Sequence, residues 1–260
     1  FVNKAFASGV SEGAVSYLNN SSLLVSIPNA IYATTLAAII FTLMSEQTED
    51  LAKFKDTFFR GMEISLITLL PIAIGLLVVG DAAISFVYER GRFTSEDTAN
   101  TYLALLFYLP IIVFQGMQLI LSKSMYARGK TAVVFRISVK TILVNFLLNW
   151  WLVDDYGYPA LAFSASIVSV YYFVVSMIVV YRDLGASEFN RFAQMSVRVV
   201  LPAIVMGLVV WGAKEFLDAE EWYSLIQLGV LIPIGIIVYA VLLKVVYPVG
   251  FNRILQMVSR

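Results

Sequence analysis

The chain has 260 residues, 60% of them hydrophobic and 14% charged, and its Lys and Arg balance its Asp and Glu. A soluble domain carries about 25% charged and 45–50% apolar residues, so this balance excludes an ordinary water-soluble globule; the zero net charge gives no electrostatic footprint for nucleic acid. Cys and His are both absent, which excludes disulfides, the usual zinc ligand sets, thiol nucleophiles and imidazole bases.

Residues 1–9 read as the end of an earlier helix. They do not form a signal peptide, so the expectation is a fragment with an N-terminal portion missing. Seven stretches then have the roughly 20 mostly apolar residues that a bilayer crossing needs, at 14–44, 58–79, 101–122, 131–153, 159–181, 197–214 and 225–246. Their apolar faces run all the way round, as expected of helices in lipid. Pro28 in the first stretch and Pro71 in the second predict kinks or tilts. The polar gaps are short and leave no room for a separate soluble domain.

The first span places Asn19, Ser22, Ser26 and Asn29 within about 80° of one another, and Ala33 and Ala37 extend this small, polar face. Such a face suits close helix packing or the wall of a wet cavity. The segment 86–98 joins the second and third spans. Gly91 is placed to end the preceding helix in a left-handed conformation, and Thr94 to N-cap the next one with Asp97 three residues on. Gln115, Gln118 and Ser122 share a face of the third span, where packing is the simpler role. In the fourth span Ser138, Thr141, Asn145 and Asn149 form one stripe, with Arg136 and Lys140 opposite and near the helix end, where they can snorkel. The stripe reads as interhelical glue, as a cavity wall, or, at Asn145 and Asn149 one turn apart, as a pair of carbonyl oxygens for a hard cation. The run Arg128-Gly-Lys-Thr131 is not a P-loop, because the Gly required five residues before Gly129 is Ser124.

Basic residues settle the expected orientation. Fourteen of the eighteen Lys and Arg fall in one set of alternate gaps or in the span ends that border them, and only Lys4, Arg90, Arg92 and Lys214 on the other side. The positive-inside rule then places the gaps at 45–57, 123–130 and 182–196, and the C-terminus, in the cytoplasm.

Several ordered strings carry a family resemblance. Tyr88-Glu-Arg-Gly-Arg-Phe-Thr-Ser-Glu-Asp-Thr98, with Glu89, Arg90, Gly91, Phe93, Thr94 and Asp97 at its centre, resembles a loop of the MurJ/MviN family of lipid II flippases, in the MOP exporter superfamily. Ser124-Met-Tyr-Ala-Arg-Gly-Lys-Thr131, Val144-Asn-Phe-Leu-Leu-Asn149 and Tyr156-Gly-Tyr-Pro-Ala-Leu-Ala162 follow in matching order, and Ser16-Tyr-Leu through Pro28 fits the family's eighth helix. The resemblance runs over most of residues 1–185 and more loosely beyond.

It implies an all-α polytopic membrane helix bundle: the second lobe of a MurJ/MATE-like two-lobe transporter over 1–182, comprising the end of one helix and five spans, and two additional transmembrane helices over 183–260. The family's central cavity opens alternately to each side, and its two extra helices help form a groove for the lipid tail. The implied activity is flipping of lipid II, the undecaprenyl-diphosphate peptidoglycan precursor, from the cytoplasmic to the outer leaflet of the bacterial cytoplasmic membrane. No covalent chemistry and no cofactor are expected. The implied partners are the substrate, membrane lipids and the missing N-terminal lobe. The expected cavity residues are Asn19, Ser22, Ser26, Asn29, Ser138 and Thr141. Sodium at Asn145 and Asn149, protons, or the membrane potential alone are the expected sources of drive. Some relatives have Asp where this chain has Asn149, and many carry an acidic–basic pair or an Arg at the positions of Ser22 and Leu23. Flipping of another polysaccharide lipid, drug export, and a non-transporting scaffold for cell-wall enzymes are the alternatives. An intramembrane glycosyltransferase is a further one, for which the outward acids Asp81, Glu89, Asp154 and Asp155 form no recognisable catalytic constellation.

Overall fold

The computed structural model describes residues 13–258, so the expected helix end at residues 1–9 lies outside the described residues. The described chain is helical almost throughout: α1 (Ala14–Thr34), α2 (Leu36–Glu46), α3 (Leu51–Tyr88), α4 (Ser95–Ala127), α5 (Thr131–Tyr156), α6 (Tyr158–Leu184), α7 (Ala186–Phe216), a short 3₁₀ turn (Ala219–Glu221), α8 (Ser224–Val246) and α9 (Pro248–Val258). With α1 and α2 taken as one crossing, seven segments are long and apolar enough to span a membrane. Large apolar side chains stay exposed around the bundle, including Phe135, Ile142, Trp150 and Trp151 on α5 and Val197, Leu201 and Leu208 on α7. In water such a surface would drive aggregation; in hydrocarbon it is the solvated face.

The helices outrun the predicted spans. The 38-residue α3 begins inside the gap expected at 45–57, and only Gly185, with φ 101°, separates α6 from α7. Polar turns continue a helix past the hydrocarbon because their backbone bonds are already satisfied internally. The first span differs from its expected form in another way. Helical geometry breaks at Thr35, at φ −100° and ψ −79°, rather than at Pro28, which lies within α1. The Thr35 hydroxyl donates to Ile31 O at 2.6 Å and the Thr34 hydroxyl to Ala30 O at 3.0 Å, and this back-bonding bends helices.

Two helices form the hub. Half of the apolar stretch of α3 and of α4 is buried within the protein, against 11% for α5. Helix α4 packs on α1, α3 and α6, and α3 also carries α7 and α8. Lipid tails are as apolar as Leu, so hydrophobicity alone does not draw such helices together; close approach and hydrogen bonds do. Gly116 on α4 provides the approach: a Cβ there would stand 2.0 Å from Leu69 Cδ1 of α3. Side-chain hydroxyls provide the bonds. Ser21 donates to Thr101 O at 2.7 Å, Tyr102 to Leu77 O at 2.6 Å and Tyr239 to Ile67 O at 3.0 Å, linking α1, α3, α4 and α8.

Candidate substrate face and polar stripe

Helix α1 has three distinct sides. Ala14, Leu18, Ser21, Val25 and Tyr32 are buried and face the hub. Leu23, Ile27 and Ile31 are exposed and apolar. Between these sides, roughly a quarter-turn from the packed one, lie Asn19, Ser22, Ser26 and Asn29. The hydroxyls of Ser22 and Ser26 bond only backward along α1, to Asn19 O at 2.9 Å and Leu23 O at 2.8 Å. Among the described residues Asn29 alone of the four reaches another helix, its Nδ2 donating to Gln115 Oε1 of α4 at 3.3 Å. Most of this polar face therefore does not hold helices together. It is an open surface of small hydrogen-bonding groups at the edge of the bundle.

The α5 stripe has a different environment. Ser138, Thr141 and Asn145 are half-buried and Asn149 is fully buried, on the side where Val134 and Ile137 pack inward. Thr141 bonds to Ile137 O at 2.8 Å, and Asn149 Nδ2 donates to Asn145 Oδ1 at 3.4 Å. The stripe thus lies on the packed side of α5, and the structure does not bring it to the polar face of α1.

The loop at 86–98 is a jointed corner. Gly91 has φ 66°. The Thr94 backbone N–H donates to Asp97 Oδ2 at 2.8 Å, and Asp97 N–H donates to Thr94 Oγ1 at 3.4 Å, closing a capping box on α4. Asp97 also accepts from Tyr17 Oη at 2.8 Å, and Glu89 accepts from Thr98 Oγ1 at 2.9 Å. The corner therefore fixes the first turn of α4 against α1. Phe93 packs near Tyr88, with ring centroids 6.0 Å apart, while Arg90 and Arg92 are exposed.

Sequence reasoning passed over Glu63, a lone acid inside the second span and so a residue the cost of intramembrane charge should have singled out. Its carboxylate is fully buried on α3 and accepts hydrogen bonds from the Tyr247 hydroxyl and from Arg253 of α9. Burial, with the Glu63 carboxylate adding to it, pushes the Tyr247 hydroxyl well above its ordinary range, so it stays protonated and donating. A second tie sits at the far end of α3, where buried Lys214 of α7 meets Asp81 at 2.8 Å and Glu220 at 3.2 Å. A third, Arg191–Asp56 at 2.8 Å, joins the start of α7 to the start of α3, with the guanidinium 3.8 Å from the Phe59 ring centroid. These ties fasten α7, α8 and α9 to one hub helix.

Comparison with known proteins agrees with this architecture. A family model described as "Lipid II flippase MurJ" matches residues 1–232. A probable lipid II flippase MurJ of Rickettsia prowazekii is 27% identical over 263 aligned residues, covering 95% of this chain and 50% of the relative. The lipid II flippase MurJ of Thermosipho africanus is 26% identical over 230 residues, covering 88% and 45%. A solved structure titled "Lipid II flippase MurJ, inward closed conformation" superposes with a TM-score of 0.79 at 22% identity, over 95% of this chain and 50% of that one, and so shares the fold. The chain spans about half the length of the curated relatives it matches. A family match across 232 of its residues, joined to a seven-span bundle of the same fold, makes this chain a member of the MurJ family.

Proposed function

We propose that this chain is the second transport lobe, over residues 1–182, with two additional transmembrane helices over 183–260, of a flippase that carries lipid II from the cytoplasmic to the outer leaflet. The observation that carries the reading beyond family membership is the polar face of α1. Among the described residues Asn19, Ser22 and Ser26 make no side-chain hydrogen bond to another helix, whereas polar groups on a membrane helix normally turn toward protein or water. A wet cavity against a second lobe satisfies them. Within that cavity the large sugar–peptide head avoids hydrocarbon while its polyprenyl tail stays in the bilayer, and rocking of the lobes changes access.

The neutrality of this face assigns it a particular part. Asn19, Ser22, Ser26 and Asn29 carry no charge, so this lobe offers hydroxyls and amides to sugar and peptide, and the diphosphate is met by cations of the other lobe. Drive comes from the membrane potential. Export of roughly two negative charges from a negative interior gains about 4–5 kcal/mol at 100 mV, twice the ~2.3 kcal/mol per charge. Sodium is a second source of drive: the oxygens of Asn145 and Asn149 are hard donors one turn apart that would hold the ion weakly for want of a carboxylate. The distribution of Lys and Arg supports an orientation with a cytoplasmic C-terminus, and the bacterial relatives support the bacterial cytoplasmic membrane as its setting.

The test is translocation of lipid II in sealed vesicles bearing the protein that contains this chain, with an inside-negative potential imposed and then collapsed. Translocation that slows on collapse, and that other polyprenyl-linked saccharides do not compete away, is expected. Undiminished flipping at zero potential would remove the proposed drive, and preference for another headgroup would replace the substrate.

A further inference from the structure

The end of α6 and the start of α7 enclose a groove of about 690 Å³, within the range of about 300–1,000 Å³ typical of ligand pockets. Phe173, Met177, Ile178, Tyr181 and Phe189 give it an apolar wall, and Arg182 stands at its rim. Val174 and Ile178 on this wall are exposed, so the groove opens sideways toward the lipid rather than into the bundle. The wall has a firm base. Tyr181 is buried and packs edge-on against Phe189 at 5.6 Å and Phe58 at 5.8 Å. Gly185, at φ 101° with open space where a Cβ would stand, turns the chain and gives the groove its end.

Charge at the rim identifies the occupant. Each acid beside the groove is already engaged within the protein. Asp183 is held by Arg128 and Lys130, and Glu188 lies 3.5 Å from Arg191, which also binds Asp56. Arg182, in the last turn of α6 and exposed, has no acidic partner among the described residues. An apolar trough within a membrane span, closed at its polar end by one uncompensated guanidinium, complements an amphiphile with an anionic head; basic pockets between transmembrane helices bind anionic lipids in this way.

We propose that this groove is a specific site for one anionic diacyl phospholipid, with its phosphate on Arg182 and an acyl chain along Phe173, Met177 and Ile178. The site is separate from the polar face of α1. It depends on the chain spanning a membrane and not on what the protein transports, so failure of the lipid II reading leaves it untouched.

The experiment measures lipid retained by the intact protein after detergent extraction from nanodiscs of phosphatidylcholine with defined fractions of phosphatidylglycerol, read by native mass spectrometry. The wild-type protein is expected to keep one phosphatidylglycerol over phosphatidylcholine by about five-fold, as one basic residue at an anionic surface provides. R182Q removes the preference while leaving bound lipid. I178W, which fills the groove from its exposed side and leaves the core alone, removes the retained lipid at unchanged melting temperature. Equal retention of both lipids by the wild type, or a preference that survives in R182Q, overturns the site. Displacement of phosphatidylglycerol by a polyprenyl diphosphate at equal concentration overturns the choice of occupant.

Discussion

The tie between Glu63 and the C-terminal helix predicts an unequal response to removing its two ends. Glu63 is fully buried, whereas the Arg253 side chain is 29% exposed at the bundle's edge. Arg253→Met strands a carboxylate that water cannot reach, and loss of one member of a buried pair costs about 3–5 kcal/mol. Glu63→Gln keeps an oxygen for the Tyr247 hydroxyl and leaves Arg253 free to swing into solvent. Its cost is therefore that of weakened charge-assisted bonds, about 1.5–3 kcal/mol. The double variant Glu63→Gln with Arg253→Met leaves no buried charge and is expected to cost less than Arg253→Met alone. Thermal unfolding of the four proteins in one detergent, with proteolysis of the segment after Tyr247 as a local readout, gives the comparison. Equal losses from Glu63→Gln and Arg253→Met, or a double variant as unstable as the sum of its parts, would refute the claim that burial of the carboxylate governs this joint.

Three further outcomes follow from the packing and the polar faces. Gly116→Ala drives a methyl into Leu69 and should destabilise by about 1–3 kcal/mol, whereas Gly75→Ala, which meets nothing within 4 Å, should stabilise α3 by about 0.5–1 kcal/mol; paired melting curves check the opposite signs. Asn145→Leu is expected to lower transport more than protein level, measured as flipping per folded molecule, and a parallel loss of both would assign the stripe to packing alone. Ala186→Cys, exposed at the start of α7, should react with an impermeant thiol reagent only in inverted or opened vesicles; labelling from outside intact cells would reverse the orientation.

The spans were legible because a bilayer imposes length and apolarity on every crossing, and the 94–97 cap because its bonds are local. Boundaries were not, since nothing in hydropathy stops a helix whose polar turns leave the hydrocarbon, as α3 does at Leu51 and α7 at Ala186. The break at Thr35 escaped because hydroxyl back-bonding depends on rotamers, while Pro28 drew attention for its missing N–H. The angular grouping of Asn19, Ser22, Ser26 and Asn29 came directly from helical periodicity. Which side of that grouping faces a neighbour did not, because periodicity fixes angles within one helix and says nothing of the helix beside it. The partners of Glu63 lie 184 and 190 residues away, so only the three-dimensional fold joins them.

In the proposed function the polar face of α1 lines the path of the lipid head. Ser22→Phe with Ser26→Phe places two rings on that face without entering the core, and Ile31→Phe, on the exposed apolar side, is the matched control. Translocation of lipid II in vesicles by the protein containing this chain should fall to background in the first variant and stay near wild type in the control, with both folded. Full transport through the double-Phe face would contradict the account.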